Sequence, residues 1–190
     1  MHPLHPRLTP FELRRGVLFL GNFQHAPNVD SARYLVREVM PTVWAQLPGL
    51  PVWLVGGFPP ASIKALANAN VFVTGHMADL TPIMAQVRVA PAPLRYGAGI
   101  KNKVIDSMAY GVPVVTTRLG AEGLPVAQGF NILVADTAAE LGSAIVALHE
   151  DPFLWERISR AGRDTVATFY SADVLRAQLA TTLQRYLVGQ

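Results

Sequence analysis

Short apolar runs alternate with amphipathic stretches along most of this chain. Runs at 17–20 (VLFL), 52–55 (VWLV), 71–73 (VFV), 87–90 (VRVA), 112–116 (VPVVT) and 132–134 (ILV) are largely apolar on successive positions, the pattern of strands buried on both faces. Between them the period shifts towards 3.6. From 28 to 47 the apolar positions Val29, Ala32, Leu35, Val36, Val39, Met40, Val43 and Leu47 form one stripe, with Pro27, Asn28 or Asp30 as start signals. Further helices are predicted over 62–69, 79–86 and 101–110, the last stopped by Gly111, and over 137–149, 152–168 and 172–187. Residues 1–15 read as a loose, Pro- and His-containing lead-in, and 16–190 as one domain. Strand–helix alternation of this kind predicts an α/β fold, a Rossmann-like open parallel sheet with helices on both faces. Ligands of such sheets bind beyond the carboxyl ends of the strands. Gly21, Gly56-Gly57, Gly75 and the 95–100 loop all fall at such ends.

Composition narrows the function classes. At 190 residues the chain holds a sizeable core, and only 15% of it is charged, well under the usual quarter. The net charge of +3 is scattered, with no Lys/Arg run, so no nucleic acid is expected as partner. There is no cysteine, which excludes disulfides, thiolate metal sites and Cys nucleophiles. No histidine pair has metal spacing and no Asp-x-Asp occurs, so no metal is expected. No apolar run reaches membrane-spanning length, and the first residues lack the apolar centre of a signal peptide. The expected location is cytoplasmic, with room for a peripheral place at the inner membrane face. The glycines form neither a serine nucleophile elbow nor the dinucleotide fingerprint.

The most informative stretch is RYGAGIKNKVIDSMAYGVPVVTT, 95–117. It reads as a Gly-rich loop, a helix with a cationic first turn, and a buried strand. Lys101 and Lys103 sit where a helix already carries positive partial charge, an unfavourable placement unless an anion binds there. Gly97 and Gly99 allow close approach to the backbone, and Arg95 offers a planar fork for phosphate oxygens. Together they read as a diphosphate cradle, with Asp106 further along as a hydroxyl acceptor. The competing reading is a surface loop before an amphipathic helix, with Lys103–Asp106 an ordinary i,i+3 pair. Weaker signals surround it. In GNFQHAPNVD, Gly21 fits a tight turn or a ligand's approach, and Asn22 and His25 could donate to phosphate or sugar; the alternative is a polar loop leading to a helix cap. The backbone of Gly75-His76-Met77 could meet the edge of a nucleobase, although His76 also suits a half-exposed loop. In LGAEGL, two glycines flank Glu122, which either bonds sugar hydroxyls or caps its turn. His149 is expected on a solvated helix face.

The stretch PLRYGAGIKNKVIDSMAYGVPVVTTRLGAEGL resembles the signature of retaining glycosyltransferases of family four, which have the GT-B fold. PNVDSARYLVREVMP, the LVGG strand end and VTGHMADL are similar to the same family, in a polysaccharide or sugar-transferase subgroup. The resemblance covers about 17–171, and 93–124 is its specific part. It implies one half of a GT-B fold, the half that binds a nucleotide-diphosphate sugar. Arg95 and Lys101 would contact the diphosphate, Asp106 would stand for the Glu that holds the ribose, Gly75 to Met77 would meet the base, and Glu122 would approach the phosphates and sugar. The family's Glu-x7-Glu pair is not intact: Asp106 replaces the second Glu and Ala98 stands eight positions before it. The basic residues common after the first strand are also missing, which leaves Arg95, Lys101 and Lys103 to meet the phosphate charge.

The first functional reading is therefore a glycosyltransferase donor domain, without cofactor or metal, that stabilises a departing diphosphate with fixed positive charge. Its acceptor-binding half is missing, so this chain alone is expected to show little turnover. The second is a non-catalytic nucleotide-binding module. A third is half of a sugar-nucleotide epimerase. The apolar positions of the last helix, Val174, Leu175, Leu179, Leu183 and Leu187, lack a partner half and predict weak self-association.

Overall fold

The computed structural model describes residues 9–99 and 101–171, with positions 174, 176, 180 and 184 beyond them, each helical. The expected helix over 172–187 and its self-association face therefore fall mostly outside the described residues. A 3-10 turn, Phe11–Leu13, precedes strand β1, Val17–Leu20. Helix α1 (Ala26–Tyr34), a π turn (Leu35–Val39) and α2 (Met40–Gln46) follow, and helical backbone runs through the junctions. The π turn has a local cause. Pro41 has no N–H to donate, and the Met40 N–H reaches back five residues to the Leu35 carbonyl. Next come β2 (Val52–Val55), α3 (Ala61–Lys64), β3 (Val71–Gly75), α4 (Thr81–Gln86) and β4 (Ala90–Ala92). The chain continues through α5 (Asn102–Ala109), β5 (Val114–Thr116), α6 (Arg118–Ala121), β6 (Leu133–Val134), α7 (Ala138–Glu150) and α8 (Pro152–Tyr170). The helix expected over 62–69 is a single turn, and the strand expected at 87–90 lies further on, at Ala90–Ala92. No helix among the described residues is long and apolar enough to cross a membrane.

All pairings between the described strands are parallel: β1 with β2, β2 with β3, β4 with β5, and β5 with β6. A parallel bridge between Val17 and Val89 joins the two sets, giving the order β3-β2-β1-β4-β5-β6. The Val89 N–H bonds the Gly16 carbonyl at 3.3 Å and the Leu18 N–H bonds the Val89 carbonyl at 3.0 Å. The next donor towards β1 would be residue 91, which is proline, so the ladder ends there. The two halves of the sheet are joined at the amino-terminal end of β1 and unjoined beyond Pro91, towards its carboxyl end. That is the topological switch point of an open α/β sheet.

Strand alternation fills a core on each face. Val17, Phe19, Val52 and Leu54 pack with Leu35, Val39, Val43, Leu141 and Ile145 on one side. Leu18, Leu20 and Val55 pack with Met84, Val104, Ile105 and Met108 on the other. Each fully buried side chain of this size contributes about 1.5–3 kcal/mol. Helix α7 starts at a capping box, with Thr137 bonded to the Glu140 N–H and Glu140 returned to the Thr137 N–H.

Two expectations are corrected here. The described part of the lead-in, from Thr9 to Arg15, is fastened rather than loose. The Arg14 guanidinium is 2% exposed and donates to the carbonyls of Thr9 (2.8 Å), Met84 (2.7 Å) and Val87 (3.1 Å). Burial draws its pKa down to about 10. Arg88 donates to the Phe11 carbonyl at 2.8 Å and the His149 carbonyl at 2.7 Å. His149 is buried, not solvated. Its Nδ1 lies 2.8 Å from the Ile145 carbonyl, and burial pushes its pKa down to about 4 against that hydrogen bond. Arg14→Met strips two buried carbonyls of their donor, and we expect it to cost about 2–4 kcal/mol in urea unfolding. Lysine at the same position, with one donor head in place of a fork, is expected to recover only part of the loss.

Candidate functional site

The loops that leave β1, β2 and β3 are locked together by main chain. The Gly21 N–H bonds the Val55 carbonyl at 3.0 Å, the Phe23 N–H bonds the Gly57 carbonyl at 3.0 Å, and the Gly56 N–H bonds the Gly75 carbonyl at 2.9 Å. A Cβ on Gly56 would stand 1.7 Å from the Gly21 carbonyl oxygen, and one on Gly21 would stand 2.9 Å from Asn28 Cγ. These glycines therefore serve loop-on-loop contact, and Gly21 also borders a cavity.

That cavity, of about 940 Å³, opens at the carboxyl ends of the strands where β1 and β4 part. From one side it receives Gly21, Asn22, His25 and Asn28; from a second, Gly56, Gly57, Phe58, His76, Met77 and Leu80; from a third, Gly97, Ala98, Lys101, Asn102, Lys103 and Asp106. Of the residues singled out in the sequence, Gly21, Asn22, His25, His76, Met77, Gly97, Lys101, Lys103 and Asp106 thus meet in one place. Gly75 and Gly99 do not line it but carry positive φ values of 75° and 98° that turn the adjoining loops. A smaller cavity of about 450 Å³, between the lead-in and α8, lies at the other end of β1.

The cations divide. Lys101 is the N-cap of α5; it is buried and its Nζ donates to the Gly99 carbonyl at 2.9 Å. Lys103, in the first turn of α5, bonds Asn28 Oδ1 and stands 4.7 Å from the centre of the Phe19 ring. Burial in that apolar floor draws its pKa down to about 8. Arg95 behaves differently. Its Nε and Nη2 grip both oxygens of Asp30, at 2.9 and 2.5 Å, Glu38 lies 3.8 Å away, and its guanidinium covers the Tyr34 ring at 4.5 Å. The hydrogen bond to Asp30 raises its pKa. The expectation of an open fork for phosphate is corrected: α1 supplies a carboxylate that fits the fork bidentately, and Arg95 does not line the cavity.

Glu122 is likewise not in the cavity. Thr117 caps α6 by accepting from the Gly120 N–H at 3.1 Å, and the short helix ends at Glu122. There it is exposed and borders a separate depression with Arg118, Gln128 and Val134 of β6. Asn28 and Asp30 were legible only as helix start signals. Their functional contacts, to Lys103 and Arg95, span 75 and 65 residues. Phe58 carried one unread signal, an aromatic residue set inside a Gly-Gly-Phe-Pro-Pro turn. Among the described residues no three His, Cys, Asp or Glu side chains gather as a metal site requires.

The family model described as glycosyl transferases group 1 matches residues 14–151, and the chain belongs to that family. Two curated relatives are similar to it. The lipopolysaccharide core biosynthesis glycosyltransferase LpsE of Rhizobium meliloti is 28% identical over 139 residues, 69% of this chain and 41% of the relative. An uncharacterised 44.6 kDa protein in the cps region of Klebsiella pneumoniae is 25% identical over 146 residues, 72% of this chain and 37% of the relative. The chain spans about two fifths of the length of these relatives. Among solved structures, the C-terminal domain of the group 1 glycosyl transferase LpcC from Francisella tularensis matches with a TM-score of 0.69 at 14% identity, over 90% of this chain and 96% of that one. HepE of Anabaena, crystallised with UDP and glucose, matches with a TM-score of 0.73 at 19% identity, over 92% of this chain and 49% of that one. The fold is one Rossmann-like half of a GT-B glycosyltransferase, as the sequence resemblance implied.

The contact between loops gives a direct test. Gly56→Ala forces the Gly21 and Gly56 backbones apart and is expected to cost about 2–3 kcal/mol in chemical unfolding. Gly57→Ala, whose Cβ would meet nothing within 4 Å, is expected to cost less than about 0.5 kcal/mol.

Proposed function

We propose that this chain is the donor-binding half of a retaining glycosyltransferase, and that its cavity holds a nucleotide-diphosphate sugar. The observation that carries the reading is the convergence of Lys101, Lys103 and Asp106 on one cavity at the parting of β1 and β4. Lys101 and Lys103 take the diphosphate oxygens together with the first amides of α5. Asp106, one turn further into the cavity, accepts from the ribose hydroxyls. Asn22 and His25 reach phosphate or sugar, and the chain at His76-Met77 meets the base. The structure of HepE in complex with UDP and glucose supports a donor of this class.

Fixed ammonium charge and helix-terminal amides would stabilise the diphosphate as it leaves, which needs no metal ion. Arg95 takes a positioning role: clasped to Asp30, it ties the Gly-rich loop to α1. The whole enzyme would pass a hexose to a polysaccharide, lipid or other acceptor, with a second half completing the site. This chain alone would bind donor and transfer little of it. Transfer by the two-domain protein tests the reading against a non-catalytic nucleotide-binding module.

Calorimetry with UDP, GDP and ADP tests the reading. Lys103→Met is expected to weaken the best ligand roughly ten- to a hundredfold, the worth of a charge-assisted bond of about 1.5–3 kcal/mol. The pH dependence has a defined sign. In the free protein Lys103 loses its proton near pH 8, and a bound diphosphate holds it on to higher pH. Affinity is therefore level from about pH 7, where the terminal phosphate is ionised, to pH 8, and falls above it by up to about tenfold per pH unit. In Lys103→Met this fall disappears. Absence of binding by all three nucleotides, or an unaltered affinity and pH profile in the variant, contradicts the assignment.

A further inference from the structure

Phe58 is the one non-glycine residue with positive φ (59°) among the described residues. An aromatic side chain rarely takes that conformation, and the strain persists only where the surrounding structure enforces it. Here the enforcement is visible. Gly56 and Gly57 are fixed on one side by the bonds to Gly75 and Phe23, and Pro59-Pro60 fix the backbone on the other, with Pro60 entering α3 at φ −69°. The held conformation gains no burial, since Phe58 is 69% exposed. Phe58 instead stands among the residues that line the 940 Å³ cavity. A backbone held in strain at a cavity rim points to a ligand contact there.

The cavity is chemically divided. Strand order places the loops of β2 and β3 on one side of the switch point and the β4–α5 loop on the other. The β4–α5 side carries Lys101, Lys103 and Asp106, whereas the β2–β3 side carries Phe58, His76, Met77 and Leu80, with neither carboxylate nor ammonium. A ligand with a dianionic centre and a flat aromatic end matches that division. We propose that the Phe58 ring is the stacking platform for the nucleobase of the donor. This rests on the donor reading above and adds to it the residue that holds the base. Stacking accepts any base, because each has a π face, so Phe58 supplies affinity and leaves the choice of base to the main chain at His76-Met77.

The test compares two probes on three proteins: pyrophosphate, and whichever of UDP, GDP and ADP the wild type binds best. They are measured by calorimetry on the wild type, Phe58→Gly and Phe58→Trp. Glycine relieves the positive φ, so Phe58→Gly is expected to fold with an equal or higher Tm. It should lose about tenfold or more in nucleotide affinity while its pyrophosphate affinity stays unchanged. Phe58→Trp should keep or improve nucleotide affinity. Equal changes for both probes, or no change in Phe58→Gly, overturn the proposal. Failure of the wild type to bind any nucleotide instead strikes the donor reading on which this one stands.

Discussion

The site depends on one missing hydrogen bond donor. Pro91 occupies the position in β4 that would next bond to β1, and it has no N–H. The bonds between β1 and β4 are therefore confined to Gly16, Leu18 and Val89, and no ladder closes the sheet beyond them. A crevice at that place inherits the carboxyl ends of four parallel strands and the first turn of α5. Every residue proposed to touch the donor hangs from those ends. The glycines at 21 and 56 complete the device from the other side, because only bare backbone lets the loops above β1 and β2 press together at that distance.

Electrostatics then sorts the cations into two roles. Arg95 is satisfied within the fold by Asp30, with Glu38 and Tyr34 around it. Lys101 and Lys103 donate to neutral acceptors, a main-chain carbonyl and a carboxamide. For Lys103 this is costly, since burial disfavours the charged form and lowers its pKa, a cost that the cation–π contact with Phe19 offsets only in part. A helix terminus adds positive partial charge to the same spot. The fold thus keeps a cation where its own structure disfavours one, and an incoming diphosphate would reverse that penalty.

Much of this was legible in the sequence. The strand runs at 17–20, 52–55, 112–116 and 132–134 gave elements in the right places, because fully buried parallel strands are apolar at every position. The cluster 95–106 pointed to the right end of the sheet because helix-start charge and loop glycines are local signals. What sequence could not show was pairing over distance. Asp30 looked like a helix start and proved to be the partner of Arg95. Asn28 looked like a cap and proved to hold Lys103. His149 sat on a helix whose exposed face could not be told from its buried one, and Glu122 was carried away by the one-turn helix α6. The strain at Phe58 had only one faint counterpart in the sequence, an aromatic set between Gly-Gly and Pro-Pro.

The most direct measurement is a crystal structure of the chain soaked with the sugar nucleotide it binds best. The account predicts diphosphate oxygens in hydrogen-bond contact with both Lys101 and Lys103 at the start of α5, with Lys103 drawn from Asn28 towards them and Arg95 still clasped to Asp30. A cavity left empty, with both ammonium groups still on Gly99 and Asn28, would contradict it.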